Sequence, residues 1–339
     1  MKKLIKLMSL MLALVLVLGL TACSKNKAEN NSSTASGTTG YTAVNMNVAC
    51  MTGPTGIGMA KLIADSKAGT TANNYTFTVA AAADEFKEKF LKGEIQIASV
   101  PTNLAAALYN ATGGKVRVLA VNTNGVLSII QNGGTPIDSL DDLKGKTLYA
   151  AGKGSNPEYI LKYILEKNGL TIGKDINVIF DEATVINQKL IKGEAEFAML
   201  PEPAASTVMT KSDKLQKVLS INNEWSKVSQ TKLMMGCVIA LDSYVTANPA
   251  AVEKFLEEYK ASIEFAINNV DAAAQHCTDA GITTAVAIAK KVIPDSNLCF
   301  VTANDMKAGL NDFYAVLYAA NAKLIGGKLP ADDFYYKAN

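Results

Sequence analysis

Two glycine-rich turns carry most of the residues able to hold a small molecule. The first runs Thr52-Gly53-Pro54-Thr55-Gly56-Ile57-Gly58 and the second Gly152-Lys153-Gly154-Ser155-Asn156-Pro157. Each follows an apolar run and precedes a segment of helical spacing, so each is expected to open a helix. The start of a helix exposes N–H groups without intrahelical partners and carries about half a positive charge, which suits an anion or a polar acceptor without any cationic side chain. Gly53, Gly56 and Gly58 would admit a ligand close to the backbone, and Thr52, Thr55, Ser155 and Asn156 add hydroxyl or amide partners. The same residues also suit helix capping and tight turning. Glu202, held between Pro201 and Pro203, would accept hydrogen bonds from an amine or hydroxyl if it faced a ligand. Facing outward, or bridging two parts of the chain, it would say nothing about one.

Catalytic chemistry finds little support. The Gly53 turn lacks the Gly-Lys-Ser/Thr ending of a phosphate loop, no Gly-x-Ser-x-Gly elbow occurs, and His276 is the only histidine, so a two-histidine zinc helix is impossible. No metal site and no cofactor are expected, and the chain is read as a non-enzyme. Arg117 is the only arginine; a bidentate clamp on a carboxylate would have to come from it, and it reads rather as an exposed strand residue. That leaves a sulfonate-like anion held by N–H groups, or a neutral heterocycle stacked on Tyr149, Tyr159, Phe180 or Trp225, residues that equally suit a core. With a net charge of +2 and both signs well mixed, nucleic acid is not an expected partner.

The compartment follows from the first residues. Lys2, Lys3 and Lys6 form a short basic start, and Leu4 to Leu20 is a nearly unbroken apolar run of signal-peptide length, too short for a lasting span. The run ends in Leu20-Thr21-Ala22-Cys23, which resembles the bacterial lipobox. Residues 1–22 are therefore expected to be a lipoprotein signal peptide and Cys23 the lipidated residue, with the protein anchored to the outer face of the cell membrane. Residues 23–40, rich in Ser, Thr, Asn and Gly, read as a flexible tether. Four more cysteines, Cys50, Cys237, Cys277 and Cys299, form no Cys-x-x-Cys pair. A Cys277–Cys299 disulfide is possible outside the cytoplasm, the alternative being buried unpaired thiols.

An internal echo shows which elements must position the turns. Lys92-Gly93-Glu94-Ile95-Gln96-Ile97-Ala98-Ser99-Val100-Pro101 is matched, one hundred residues on, by Lys192-Gly193-Glu194-Ala195-Glu196-Phe197-Ala198-Met199-Leu200-Pro201. Both read as a helix ending on Gly, a short strand, and a proline that stops it. Upstream, the strands before Gly53 and Gly152 lead into helices carrying Met59, Leu62 and Ile63 in one copy and Ile160, Leu161, Ile164 and Leu165 in the other. Each half is thus strand, Gly-rich turn, helix, strand, helix, strand, Pro-loop. The pattern predicts an α/β chain with two sheets flanked by helices. Ligands in such sheets sit beyond the carboxyl ends of strands, where all four turns fall.

The later chain is expected to rejoin the first half. Met235 to Leu241 reads as a strand, Asn248-Pro249 as a helix start, and Val252, Phe255, Leu256, Tyr259, Ile263 and Ile267 as its core face. A final helix near Asp305 to Leu324 carries Leu310, Phe313, Tyr314, Leu317 and Leu324. The chain would leave the first lobe near Thr123 to Leu127 and return near Leu233 to Ile239, giving lobe 1 residues 41–124 with 238–339 and lobe 2 residues 125–237.

Several phrases together resemble one group of proteins: the lipobox, the strand before Gly53, Ser139-Leu140-Asp141-Asp142-Leu143-Lys144-Gly145-Lys146, Leu200-Pro201-Glu202-Pro203, and Asn248-Pro249-Ala250-Ala251-Val252. They resemble the periplasmic binding proteins of the nitrate, sulfonate and taurine importer group, which also includes thiamine-pyrimidine binders. The resemblance runs from about Val44 to the last helix. It implies a two-lobed periplasmic binding protein type II fold, with two mixed sheets flanked by helices and a two-crossing hinge. It implies a monomer that closes on a small-molecule ligand and delivers it to the permease and ATPase subunits of an ABC importer. It also implies a cleft lined by Thr52, Gly53, Pro54, Thr55 and Gly56, by Pro101, Thr102 and Asn103, by Gly154, Ser155 and Asn156, and by Glu202. The first turn is more glycine-rich than the group's pattern, which leaves the ligand open between a sulfonate-like anion and a pyrimidine-like heterocycle. A sensing receptor of the same fold, and an enzyme like the thiamine-pyrimidine synthases, are the alternatives; the cysteine-rich iron motif of those synthases is absent from this sequence.

Overall fold

Two β-sheets of matching strand order form the framework of the protein, seen in a computed structural model that describes residues 41–337. The expected signal peptide, Cys23 and tether lie outside the described residues. The first part of the chain runs β1 (Asn45–Met51), α1 (Pro54–Ile57), α2 (Ala60–Ala68), β2 (Asn74–Ala80), α3 (Asp84–Leu91), β3 (Ile97–Pro101), α4 (Thr102–Ala111) and β4 (Val116–Thr123). There follow β5 (Leu127–Asn132), β6 (Thr147–Ala150), α5 (Asn156–Lys167), β7 (Asn177–Phe180), α6 (Ala183–Lys192), β8 (Phe197–Pro201), α7 (Ala204–Met209), β9 (Leu215–Ser220) and α8 (Ile221–Val228). The remainder comprises β10 (Gly236–Leu241), α9 (Asp242–Ala247), α10 (Pro249–Asn268), α11 (Val270–Asp279), α12 (Val286–Asp295), β11 (Leu298–Val301) and α13 (Ala303–Asn321).

The first sheet has the order β2-β1-β3-β10-β4-β11 and the second β7-β6-β8-β5-β9. In each, neighbouring strands that alternate with helices pair in parallel, and an antiparallel strand, β10 or β5, is inserted before the fourth; in the first sheet β11 adds a second antiparallel strand at the edge beside β4. Both sheets are therefore mixed. The sequence echo is a true register: Val48 faces Ile97 in the first sheet, and Leu148 faces Phe197, each residue one hundred positions on, in the second. The central strands β3 and β8 are buried on both faces, which is why they read as continuous apolar runs and not as alternating ones.

Helical spacing translates into burial as expected. Met59, Leu62 and Ile63 are buried in the first half, and Ile160, Leu161, Ile164 and Leu165 in the second. Along α10, Val252, Phe255, Leu256, Tyr259 and Ile263 face the core, but Ile267 is exposed, because the helix ends at Asn268 and its last turn overhangs the body. The final helix starts on time, and Leu310, Phe313, Tyr314 and Leu317 are buried. It packs on β4 and also on α5 of the second sheet, where Asn321 Nδ2 donates to the Tyr159 hydroxyl at 3.0 Å. Trp225, fully buried, sits between Tyr163 and Phe313, so one apolar cluster runs continuously beneath both sheets on this side.

The chain passes from the first sheet to the second between β4 and β5 and returns between β9 and β10. The first passage is pinned at its middle: Asn297 Nδ2 donates to the Gly125 carbonyl at 2.6 Å, and Gly125 N–H donates to Asn222 Oδ1 at 3.2 Å.

Candidate functional site

The carboxyl ends of β1, β3, β6 and β8 meet around one cavity of about 380 Å³. From the first sheet, Met51, Thr52, Pro54 and Thr55 follow β1, and Pro101 and Asn103 follow β3. From the second, Ser155, Asn156 and Pro157 follow β6, and Pro201, Glu202 and Pro203 follow β8. The floor is made where the chain changes sheets, by Thr123, Val126, Met235 and Gly236. The two sides touch. Asn156 Nδ2 donates to Asn103 Oδ1 at 2.9 Å, and a Cβ on Gly53 would lie 3.3 Å from the ring of Pro203.

Of the residues singled out from the sequence, Thr52, Pro54, Thr55, Pro101, Asn103, Ser155, Asn156 and Glu202 line this cavity; Gly53, Gly56, Thr102 and Gly154 do not. Thr102 is buried and anchors the start of α4, its N–H donating to Met235 O at 3.0 Å and its hydroxyl to Met234 O at 2.8 Å. Gly154 N–H donates to Glu158 Oε2 at 2.6 Å. The glycines of the first turn serve the protein's own packing more than an approaching ligand. A Cβ on Gly56 would lie 1.9 Å from Met51 O, and one on Gly58 would lie 2.7 Å from Ile263 Cγ1. Only Gly53 needs the left-handed region, at φ 77°.

Some polar groups at the cavity are used within the protein and others are not: Asn156 Oδ1 is buried without a hydrogen-bond partner among the described residues. The Ser155 hydroxyl donates to Gly152 O at 2.7 Å, and the Thr55 carbonyl accepts from Ser99 Oγ at 2.6 Å. Glu202 lines the cavity through its main chain, since its side chain is 0% exposed. Its carboxylate accepts from Ser206 N–H at 3.1 Å and from Lys217 Nζ at 2.9 Å. Lys217 also bonds Asp295 at the end of α12, a helix that packs on α11 and α1. The carboxylate thus serves a bridge between elements of the two sheets and does not face a ligand. Burial opposes the charge on Lys217, but Asp295 and Glu202 outweigh it and hold the ammonium's pKa above its ordinary value. At Glu158, partial burial is outweighed by the Gly154 N–H and Lys162, which hold its carboxyl below the usual range.

Three sequence readings need correction. Arg117 is mostly buried and paired with Asp242 at 2.8 Å and Asp333 at 3.6 Å; two acidic side chains from the returning chain converge on the strand and cover it. Among the described residues, no aromatic side chain lines the cavity. Trp225 is in the core, and Tyr149 lies under the Lys189 ammonium, 5.4 Å from its ring centre, because packing between helices and sheet claims these faces. Cys277 and Cys299 are free thiols. Cys277 on α11 neighbours Cys50, whereas Cys299 on the edge strand β11 lies 3.9 Å from Val121 O, so each thiol has its own surroundings. Burial pushes the Cys50, Cys277 and Cys299 thiols up to about 12, which keeps them protonated and unreactive. His276 packs against Phe265, away from the cavity. Among the described residues, no cluster of three His, Cys, Asp or Glu side chains could hold a metal ion.

Sequence reasoning missed Met51, Thr123, Val126, Pro157, Pro201, Pro203, Met235 and Gly236 as lining residues. The signal was partly present, since Thr123, Val126 and Met235 fall in the two stretches where the chain was expected to change lobes.

The fold recurs in solved proteins. An ABC transporter protein from Parabacteroides distasonis superposes with a TM-score of 0.73 at 22% identity, covering 87% of this chain and 99% of that one. The periplasmic aliphatic sulphonate binding protein SsuA from Escherichia coli gives a TM-score of 0.68 at 16% identity, covering 87% of this chain and 92% of that one. At these identities the likeness is one of fold, the periplasmic binding protein type II fold. YtlA of Bacillus subtilis (strain 168) is 34% identical over 124 residues, 36% of this chain, and the match spans only 35% of YtlA. The sequence model described as NMT1/THI5 like matches residues 66–273, which include the whole second sheet, strands β2, β3, β4 and β10 of the first, and most of the cavity lining, and the chain belongs to the NMT1/THI5-like family.

Proposed function

We propose that this protein is the extracytoplasmic, lipid-anchored substrate-binding component of an ABC importer. It captures a small polar molecule between two lobes and closes on it about a two-crossing hinge. The observation that carries this reading is the single cavity lined from the carboxyl ends of both sheets, with Asn103 and Asn156 bonded across it. Lobe 1 is residues 41–124 with 238–339, and lobe 2 is residues 125–237. Opening would part Asn103 from Asn156, Gly53 from Pro203 and Lys217 from Asp295, and the two passages between the sheets would absorb the change.

The fold likeness to an ABC transporter protein and to a sulphonate binding protein supports the transport role. A sulfonate-like anion and a pyrimidine-like heterocycle both suit a cavity of about 380 Å³. A heterocycle would lie between proline rings and the thioethers of Met51 and Met235, in place of the aromatic stack read from the sequence. The partners are the importer's permease and ATPase, and Cys23 ties the monomer to the membrane. The ligand is released unchanged.

The test is a thermal-shift screen of sulfonates, pyrimidines and aromatic vitamins, followed by small-angle scattering with each hit. The expected result is a raised melting temperature, a smaller radius of gyration, and recovery of the ligand unaltered. A hit that leaves the radius of gyration unchanged counts against hinge closure, and a converted product counts against the binder reading.

A further inference from the structure

One atom at the cavity makes a demand on the ligand that its neighbours do not, given the binding-protein reading above. Asn156 opens α5, is only 5% exposed, and lines the cavity. Its Nδ2 donates to Asn103 Oδ1 at 2.9 Å, so the amide lies where the two walls meet. The Oδ1 of the same planar group is buried and has no hydrogen-bond partner among the described residues. An amide oxygen can only accept, and a buried acceptor left without a donor forfeits its hydration with nothing in return. The surrounding polar groups are less exacting. The hydroxyls of Thr52 and Thr55 can turn to donate or to accept. The Ser155 hydroxyl is bonded to Gly152 O, and the Glu202 carboxylate oxygens are taken by Ser206 and Lys217. On the facing wall, Asn103 Oδ1 is spent on Asn156, which leaves its Nδ2 for another partner. The pair of amides therefore offers a ligand one acceptor and one donor, side by side.

We infer that the ligand donates a hydrogen bond to Asn156 Oδ1, and that this contact sets the specificity of the cavity. The class that fits carries an N–H donor beside an acceptor oxygen, as a carboxamide, a lactam, a urea or a sulfonamide does. Its donor meets Asn156 Oδ1 and its acceptor meets Asn103 Nδ2, while its apolar body rests against proline rings, Val126, Met51 and Met235. A sulfonate or a ketone brings acceptors alone and would leave Asn156 Oδ1 buried and unmatched. Because Asn103 and Asn156 follow strands of different sheets, such a ligand also ties the two walls together.

The experiment uses the purified full-length protein and pairs in which a methyl or methylene group replaces the donor: benzamide with acetophenone, benzenesulfonamide with methyl phenyl sulfone, and 2-piperidone with cyclohexanone. Benzenesulfonate is measured beside them, all by calorimetry. The expected result is that the donor-bearing member binds about tenfold or more tighter than its partner, and tighter than benzenesulfonate. Asn156→Leu, which keeps the bulk of the side chain and removes the acceptor, should bring that ratio to within about twofold of one. Asn103→Leu, which breaks the same bond from the other side, should weaken both members together and keep the ratio. A ratio unchanged in Asn156→Leu would mean that the residue acts only through its bond to Asn103, and would overturn the assignment. Should Asn156→Leu not fold, the pairs on the unmodified protein still decide. An acceptor-only member or benzenesulfonate that binds as tightly as the donor-bearing one, with closure seen by scattering, would overturn the donor requirement and leave the binding-protein reading intact. A panel in which no member binds would overturn the ligand class, and the binding-protein reading would then stand or fall with the wider thermal-shift screen.

Discussion

Replacing Lys217 with methionine removes the one cation that Glu202 and Asp295 share. The Glu202 side chain is 0% exposed, Lys217 is 19% exposed and Asp295 is 44% exposed. Asp295 can be rehydrated in place, so its share of the bridge is that of a surface pair, about 0–1 kcal/mol. Glu202 cannot. Stranding one partner of a buried ion pair costs about 3–5 kcal/mol, and the Ser206 N–H that remains on Glu202 at 3.1 Å places Lys217→Met at the lower end, about 3 kcal/mol. For a chain of this size that is roughly 6 °C in melting temperature. Adding Glu202→Gln should restore most of the loss, because the double variant buries no unpaired charge. The folded pKa of Lys217 is raised, so its contribution is fully present below the ordinary lysine value and is lost only as pH rises through the higher folded one. The deficit of Lys217→Met should therefore be flat between roughly pH 6 and pH 9. Differential scanning fluorimetry of the single and double variants across that range is the assay. A single variant within about 1 °C of the parent, or a double variant no better than the single, would refute the reasoning.

Other perturbations test the cavity and the anchor. Gly56→Ala drives a methyl group into Met51 O, a backbone atom 1.9 Å from the new Cβ, so it should destabilise the fold by at least about 3 kcal/mol, read by urea denaturation; a neutral outcome would mean the β1 turn is softer than its packing implies. Asn156→Trp fills the cavity and breaks the bond to Asn103; ligand stabilisation should vanish in thermal shift while circular dichroism stays unchanged, and retained affinity would place the ligand elsewhere. Cys23→Ala should move the protein from the membrane fraction to the soluble one, and continued membrane association would argue against a lipid anchor at that residue.

Much of this protein could be read from residue spacing. The hundred-residue echo, the prolines that close β3 and β8, and the apolar periods of α5 and α10 are local patterns, and each is repeated often enough along the chain to identify strand, helix and turn. Those elements, taken in order, specify two mixed sheets of matching strand order with four turns at strand carboxyl ends. What a given side chain does there was not legible in the same way. Glu202 meets Lys217 and, through it, Asp295, a residue 78 positions beyond Lys217. Trp225 is claimed by Tyr163 and Phe313, and Gly58 is required by Ile263 and Tyr259 on a helix two hundred residues away. Periodicity along a chain records which face of an element is apolar, but a charge or a ring takes its role from whatever distant segment packs against it. That partner is set by three-dimensional packing, where a displacement of one residue's width decides between a ligand contact and an internal bridge.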